Sequence, residues 1–313
     1  FYDTLTLGYY TQRASQYDTI KVWVNMPNGI LDTNYFDDTL TVVSYGCESQ
    51  LSGTYTIGEG EDFETVADFV SIAKLCNPVS DITLEIKSDT FVENWDLSSI
   101  GNIMGNYMLT ITSAAHDADS VIVKPASGVA LKLGNNKNLT IKDITFDCSS
   151  ITAYTVQFTS GCEDVIIRDC KILSSTTTTS STSTAIYKTS STGILKNVQF
   201  INNYISGGYY GFYLYGGTGT AAFSQDLVID SNILIDQYYY ATYFYYNHFK
   251  SCSYNKIYSR TANTSTTWYG LRSYYGEFDI ANANSVIQRS TAITQPYGIY
   301  AYYTNDARYG NKP

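Results

Sequence analysis

The chain has 313 residues, 44% of them apolar, and a formal net charge of −10. That length and composition bury a core in one or two domains and exclude a disordered chain. The acidic balance, with no run of Lys or Arg, excludes a phosphate-binding surface and hence DNA or RNA as a partner. Tyrosine is the outlier, at 31 against 13 Phe and 3 Trp, and only 15% of residues are charged, a mixture that favours strands and exposed sheet faces.

No stretch reaches the roughly 18 apolar residues that span a bilayer, and no basic segment with an apolar core opens the chain, so direct membrane insertion is not expected. The first residues are Phe1-Tyr2-Asp3 with no Met, which reads as a fragment or a processed product. Six cysteines are compatible with an oxidising compartment. Cys47 and Cys76 flank one compact segment and are the candidate disulfide.

Residues 1–46 alternate like strands. Tyr17 to Val24 and Asp38 to Val43 are joined through Pro27-Asn28-Gly29, which predicts a hairpin. Fewer than fifty residues fall short of the about seven strands of a sandwich. On Val22-Trp23 and the run Pro27 to Asp32, this segment resembles the last strands of an immunoglobulin-like module of large secreted bacterial proteins. The resemblance implies part of an immunoglobulin-like β-sandwich, truncated here or completed by preceding chain.

A second domain is expected over 47–313. After Gly53 to Gly58, the apolar residues Phe63, Val66, Phe69 or Val70, and Ala73 recur at three and four, predicting an amphipathic helix near 62–76 with Asp62 as N-cap. One helix followed only by strands suits an N-terminal capping helix over the open sheet end of a solenoid.

Beyond it the text repeats. Tyr210 to Tyr215 returns at Tyr240, Tyr269 and Tyr297, at spacings of 30, 29 and 28 residues, and runs backwards through Thr184, Tyr154 and Val129 at 26, 30 and 25. A fixed period of this size means one supersecondary unit stacked on its copies. A second strand family opens at Asn138, Asp164, Asn197 and Asp226, with Asp143, Asp169, Asn202 or Ser231 five residues later, and returns more weakly at Tyr254 and Ala283. Asp and Asn tolerate left-handed backbone, so each copy reads as strand, sharp bend, strand. The Ser/Thr run Ser174 to Thr184 reads as a flexible loop bulging from one coil.

Short strands with no helix between them leave one architecture: an all-β, right-handed parallel β-helix. On the Tyr55-Thr56-Ile57-Gly58 and helix opening and the strand columns, the chain from about Gly53 to Thr304 resembles the pectate-lyase-like β-helix superfamily. Lyases, hydrolases, phage tailspikes and adhesins share that fold, so the resemblance implies architecture and leaves activity open.

Alternation along strands points Phe212, Leu214, Leu271, Ile299, Ala301, Val156 and Phe158 inward. It places Tyr187, Tyr213, Tyr243, Arg272 and Tyr300 in one outward column and Tyr215, Tyr245, Tyr274 and Tyr302 in the next. Stacked tyrosines stabilise neighbouring coils, which accounts for the columns structurally. Rigid rings with hydroxyls also suit a glycan or a cell-surface protein. Arg272 stacks on the rings or anchors an acidic ligand.

No catalytic residue, metal ligand or cofactor site is assigned. The only His residues are His116 and His248; His248, Lys250 and Arg272 with Glu277 or Asp279 form the one conceivable lyase-like group. The expectation is a noncatalytic extracellular or cell-surface adhesin or filament/stalk module, with neighbouring modules of the same larger chain or filament as partners. A polysaccharide lyase or glycoside hydrolase acting on an acidic polysaccharide is the alternative.

Overall fold

The computed structural model describes residues 8–13, 16–23, 39–47, 50–189, 193–217 and 223–302. From Leu51 onward the chain winds through three sheets of nine, eight and eight strands, each strand paired with its counterparts one coil before and after. The pairings are parallel, as between Lys137–Lys142 and Cys162–Arg168 or between Tyr210–Tyr215 and Tyr240–Tyr245. The result is a right-handed parallel β-solenoid of about eight turns.

In-register parallel pairing places like positions over one another. Leu139 aligns with Val165, which aligns with Val198, while Ile167, Phe200, Ile229 and Cys252 form the next column. All of these are buried. Each inward column is therefore a continuous strip of core, and burial of a Val, Leu, Ile or Phe side chain contributes about 1.5–3 kcal/mol.

The bends fall where turn-forming residues stand. Asp143, Asp169, Asn202 and Ser231 have φ of 59°, 54°, 55° and 60°, and so do Tyr254 and Ala283 at 60° and 51°. They separate strands of the first sheet from those of the second. Immediately after the last four bends comes a column of asparagines. The backbone N and Nδ2 of Asn203 donate to Asn232 Oδ1, both at 3.0 Å, and Asn232 does the same to Asn255 at 3.0 and 3.1 Å. Asn255 repeats the pattern to Asn284 at 3.0 and 2.9 Å. Each Nδ2 also donates back to the previous coil, to the carbonyls of Ile167, Phe200, Ile229 and Cys252 in turn. Sequence reasoning passed over this ladder, because an Asn beside a bend reads as one more turn former.

One inward position breaks the apolar rule. Lys188 aligns with Phe158 and Leu214 and is 0% exposed. Its Nζ donates to the carbonyls of Thr189 and Tyr215 at 2.9 and 3.1 Å. Burial disfavours the charged form and pushes the lysine down to about 8.

The helix is shorter than expected, Val66–Ala73, and its N-cap is Thr65, in a capping box with Asp68. Asp62 is instead bound to the backbone N and Oγ1 of Thr56, at 2.8 and 2.9 Å. Both residue types suit a cap; the nearby strand Leu51–Ile57 claims Asp62. The helix buries Val66, Phe69, Val70 and Ala73 and lies against Trp95–Asp96, the strand that opens the third sheet. Cys47 and Cys76 are joined by a disulfide. Cys148, Cys162, Cys170 and Cys252 are buried free thiols.

Ahead of the solenoid, Tyr17–Trp23 pairs antiparallel with Thr39–Tyr45 in a separate two-stranded sheet. The expected Pro27-Asn28-Gly29 turn lies outside the described residues. At the other end Ile299 is 64% exposed and Ala301 is exposed as well, against the expectation that both are buried. They align with the buried Leu271 and Ser273 of the preceding coil, but among the described residues no further coil covers them. No helix among the described residues is long and apolar enough to cross a membrane.

Candidate functional site

The outer face of the third sheet carries three tyrosine columns rather than two. Tyr187, Tyr213, Tyr243, Arg272 and Tyr300 run down the middle, and Tyr215, Tyr245, Tyr274 and Tyr302 along one side. Tyr210, Tyr240, Tyr269 and Tyr297 form the third. Strict alternation from Tyr213 hides that last column, since it turns Tyr210 inward. A strip of small residues, Gly211, Ala241, Gly270 and Gly298, resets the phase. A Cβ on Gly211 would sit 2.5 Å from the Ala241 carbonyl oxygen, and one on Gly270 2.5 Å from that of Gly298. The backbones close up there, and the rings on both sides of the strip face outward.

The rings are packed face to face along the axis. Tyr213 and Tyr243 have centroids 5.0 Å apart with planes 1° from parallel. Tyr210, Tyr240, Tyr269 and Tyr297 follow at 5.1, 5.0 and 4.5 Å, and Tyr215, Tyr245 and Tyr274 at 4.6 and 5.4 Å. The Tyr210 column meets the middle one edge to face, as Tyr240 and Tyr243 do at 83°, whereas Tyr243 and Tyr245 on the other side lie near parallel at 13°. A ring stacked above and below has no free face. The wall therefore offers ring edges and rows of hydroxyls, not the flat apolar platforms expected from tyrosine content alone.

Arg272 takes one rung of the middle column. Its guanidinium carbon lies 4.4 Å from the Tyr243 ring centre, 4.3 Å from Tyr274, 5.0 Å from Tyr240 and 5.3 Å from Tyr269. Each such contact contributes about 0.5–2 kcal/mol, the larger figure when water is excluded. Nε and Nη1 are buried without a hydrogen-bond acceptor. The phenols of Tyr274 and Tyr243 stand beside the guanidinium and favour its charge, and no carboxylate among the described residues does. The hydroxyls of Tyr274 and Tyr300 are in hydrogen-bond contact at 3.4 Å. That contact and the Arg272 charge hold the Tyr274 phenol below the ordinary tyrosine value.

Elsewhere the wall has the opposite effect. Burial pushes Tyr154, Tyr213 and Tyr245 up to about 12, and Tyr210 and Tyr240 up as well. A phenol that ionises near 10 unfolded and near 12 folded stabilises the fold below pH 10, and that stability is lost as pH rises through 12. The expected result is a melting temperature that falls steeply above pH 10, with phenolate absorbance rising together with the loss of circular dichroism. Ionisation of most tyrosines before unfolding would contradict it.

The lyase-like group assembles only in part: His248 and Lys250 share a strand, Glu277 pairs with His248 and Asp279 reaches it, but Arg272 is absent. His248 lies on the first sheet, its Nδ1 and Nε2 each 3.3 Å from Asp226 and Asp279, whereas Arg272 is on the third. The Ser/Thr loop is tied down: the Arg260 guanidinium donates to the carbonyls of Thr178, Ser175, Gly208 and Asp236. A groove of about 490 Å³ on the second sheet, lined by Asp119, Asp147, Lys171 and Tyr204 among others, had no signal in the repeat pattern. No group of His, Cys, Asp and Glu among the described residues is placed to hold a metal ion.

Fold and site together define a parallel β-solenoid with a tyrosine wall on one face. No protein-family model, curated protein or solved structure matches the chain.

Proposed function

We propose that this chain is a noncatalytic binding module of an extracellular or cell-surface protein, an adhesin or stalk, and that it grips an extended glycan along the tyrosine wall. The regular stack of phenols supports this reading. Rows of hydroxyls about 5 Å apart on a rigid sheet donate to and accept from the hydroxyls of a polysaccharide at small entropic cost, while the ring edges cover its apolar faces. The solenoid belongs with the pectate-lyase-like β-helices in this reading. The helix Val66–Ala73 caps its first coil, and the sheet before it is the end of an immunoglobulin-like module.

The test removes hydroxyls and keeps the stacks. Tyr213→Phe with Tyr243→Phe is expected to fold normally and to weaken glycan binding on an array about thirtyfold, since each of the two net hydrogen bonds contributes about 1 kcal/mol. Unchanged binding by the folded double variant rules out the wall. The Asp226–His248–Asp279 contact favours a second reading, a polysaccharide lyase or hydrolase. Unsaturated or shortened products from uronate polysaccharides, with or without calcium, would establish it.

A further inference from the structure

We infer that the Arg272 cage is a binding site for a tetrahedral oxyanion, a sulfate ester carried by the polysaccharide that lies on the wall. This rests on the proposed glycan reading and names the chemistry of its ligand.

A half-buried charge without a counter-ion among the described residues is the unusual observation. Charges taken out of water are ordinarily paired, yet among the described residues Arg272 has four aromatic rings and no carboxylate. The chain as a whole carries −10, yet among the described residues no acidic side chain is placed there. The rings hold the guanidinium rigidly, so little freedom is lost when an anion arrives.

The geometry also selects among anions. A carboxylate is best held by two parallel N–H groups of one guanidinium. Any such pair must include Nε or Nη1, and both are buried behind the rings. Nη2 is the nitrogen left to meet a ligand, with the phenols of Tyr274 and Tyr243 beside the guanidinium and Tyr300 3.4 Å beyond Tyr274. The two diverging N–H groups of Nη2 and separate hydroxyl groups fit the diverging oxygens of a sulfate better than the planar pair of a carboxylate.

Dextran sulfate, carboxymethyl dextran of equal charge density and neutral dextran are the probes. The variant is Arg272→Tyr, which completes the column with the residue found at Tyr213, Tyr243 and Tyr300 and removes the charge without a cavity. A chain of net −10 repels polyanions, so binding by the wild type reports a local site. The expected result is binding of dextran sulfate at least tenfold tighter than of carboxymethyl dextran, lost at least tenfold in the folded variant. Equal binding of dextran sulfate by variant and wild type, measurable but equal affinity of the wild type for the two polyanions, or no response of the wild type to either dextran sulfate or sodium sulfate overturns the site.

Sodium sulfate separates the two failures. Melting temperatures of wild type and variant are compared at matched ionic strength, because sulfate stabilises folded proteins generally. A larger rise in the wild type with no dextran bound keeps the anion site and removes the glycan reading. Neutral dextran bound equally by both proteins, with no sulfate effect, keeps the glycan reading and removes the anion site.

Discussion

Asn232→Ala is expected to destabilise the solenoid by about 4 kcal/mol, more than any single change on the tyrosine wall. Asn232 is 0% exposed. Its Oδ1 receives both the backbone N and Nδ2 of Asn203, and its Nδ2 reaches the Phe200 carbonyl and Asn255 Oδ1. Removal strands groups on both neighbouring coils, and each buried unsatisfied group costs about 1–3 kcal/mol. Asn284→Ala is the control. Asn284 is the last rung and only partly buried, so water replaces much of what is lost and the cost is about 1 kcal/mol. Equilibrium unfolding in urea measures both. Equal effects at the two rungs would show that the ladder is not a cooperative network.

Lys188 is expected to make stability climb with pH in a window where most proteins are flat. Unfolded, the lysine titrates near 10.5; folded, near 8. Between those values the unfolded chain holds a proton that the folded chain has released, so unfolding binds protons and stability rises with pH. The rise is about 3 kcal/mol, at 1.36 kcal/mol per pKa unit. It is absent below pH 8, where both states are charged, and complete above 10.5. Lys188→Met abolishes it. The stability difference between wild type and variant, taken from guanidinium unfolding at pH 7, 8, 9 and 10, isolates the effect because tyrosine ionisation is common to both. A difference that does not change with pH would mean that Lys188 stays charged inside the fold.

Much of the architecture was legible because parallel in-register stacking copies one coil onto the next. Val165, Val198 and Leu227 repeat because they occupy one strip of core, and Asp143, Asp169 and Asn202 repeat because the same left-handed bend recurs. The middle tyrosine column with Arg272 was legible for the same reason. The rest depended on neighbours distant in sequence. Thr65 and Asp62 are equally good caps by residue type, and only the position of Thr56 decides between them. Tyr240 and Tyr269 belong to the Arg272 cage because Gly211, Ala241 and Gly270 shift the strand phase, which alternation alone reads in the opposite sense.

By itself, then, the sequence determined the coil: its period, its inward columns and its bends, all of which are local patterns repeated. Tertiary structure decided what the repeats do to one another. Stacking at about 5 Å closes the ring faces and leaves their edges and hydroxyls outward, turns asparagines beside the bends into a buried ladder, and encloses Arg272 with no counter-ion among the described residues. Those outcomes depend on distances between coils, and a single strand does not contain them.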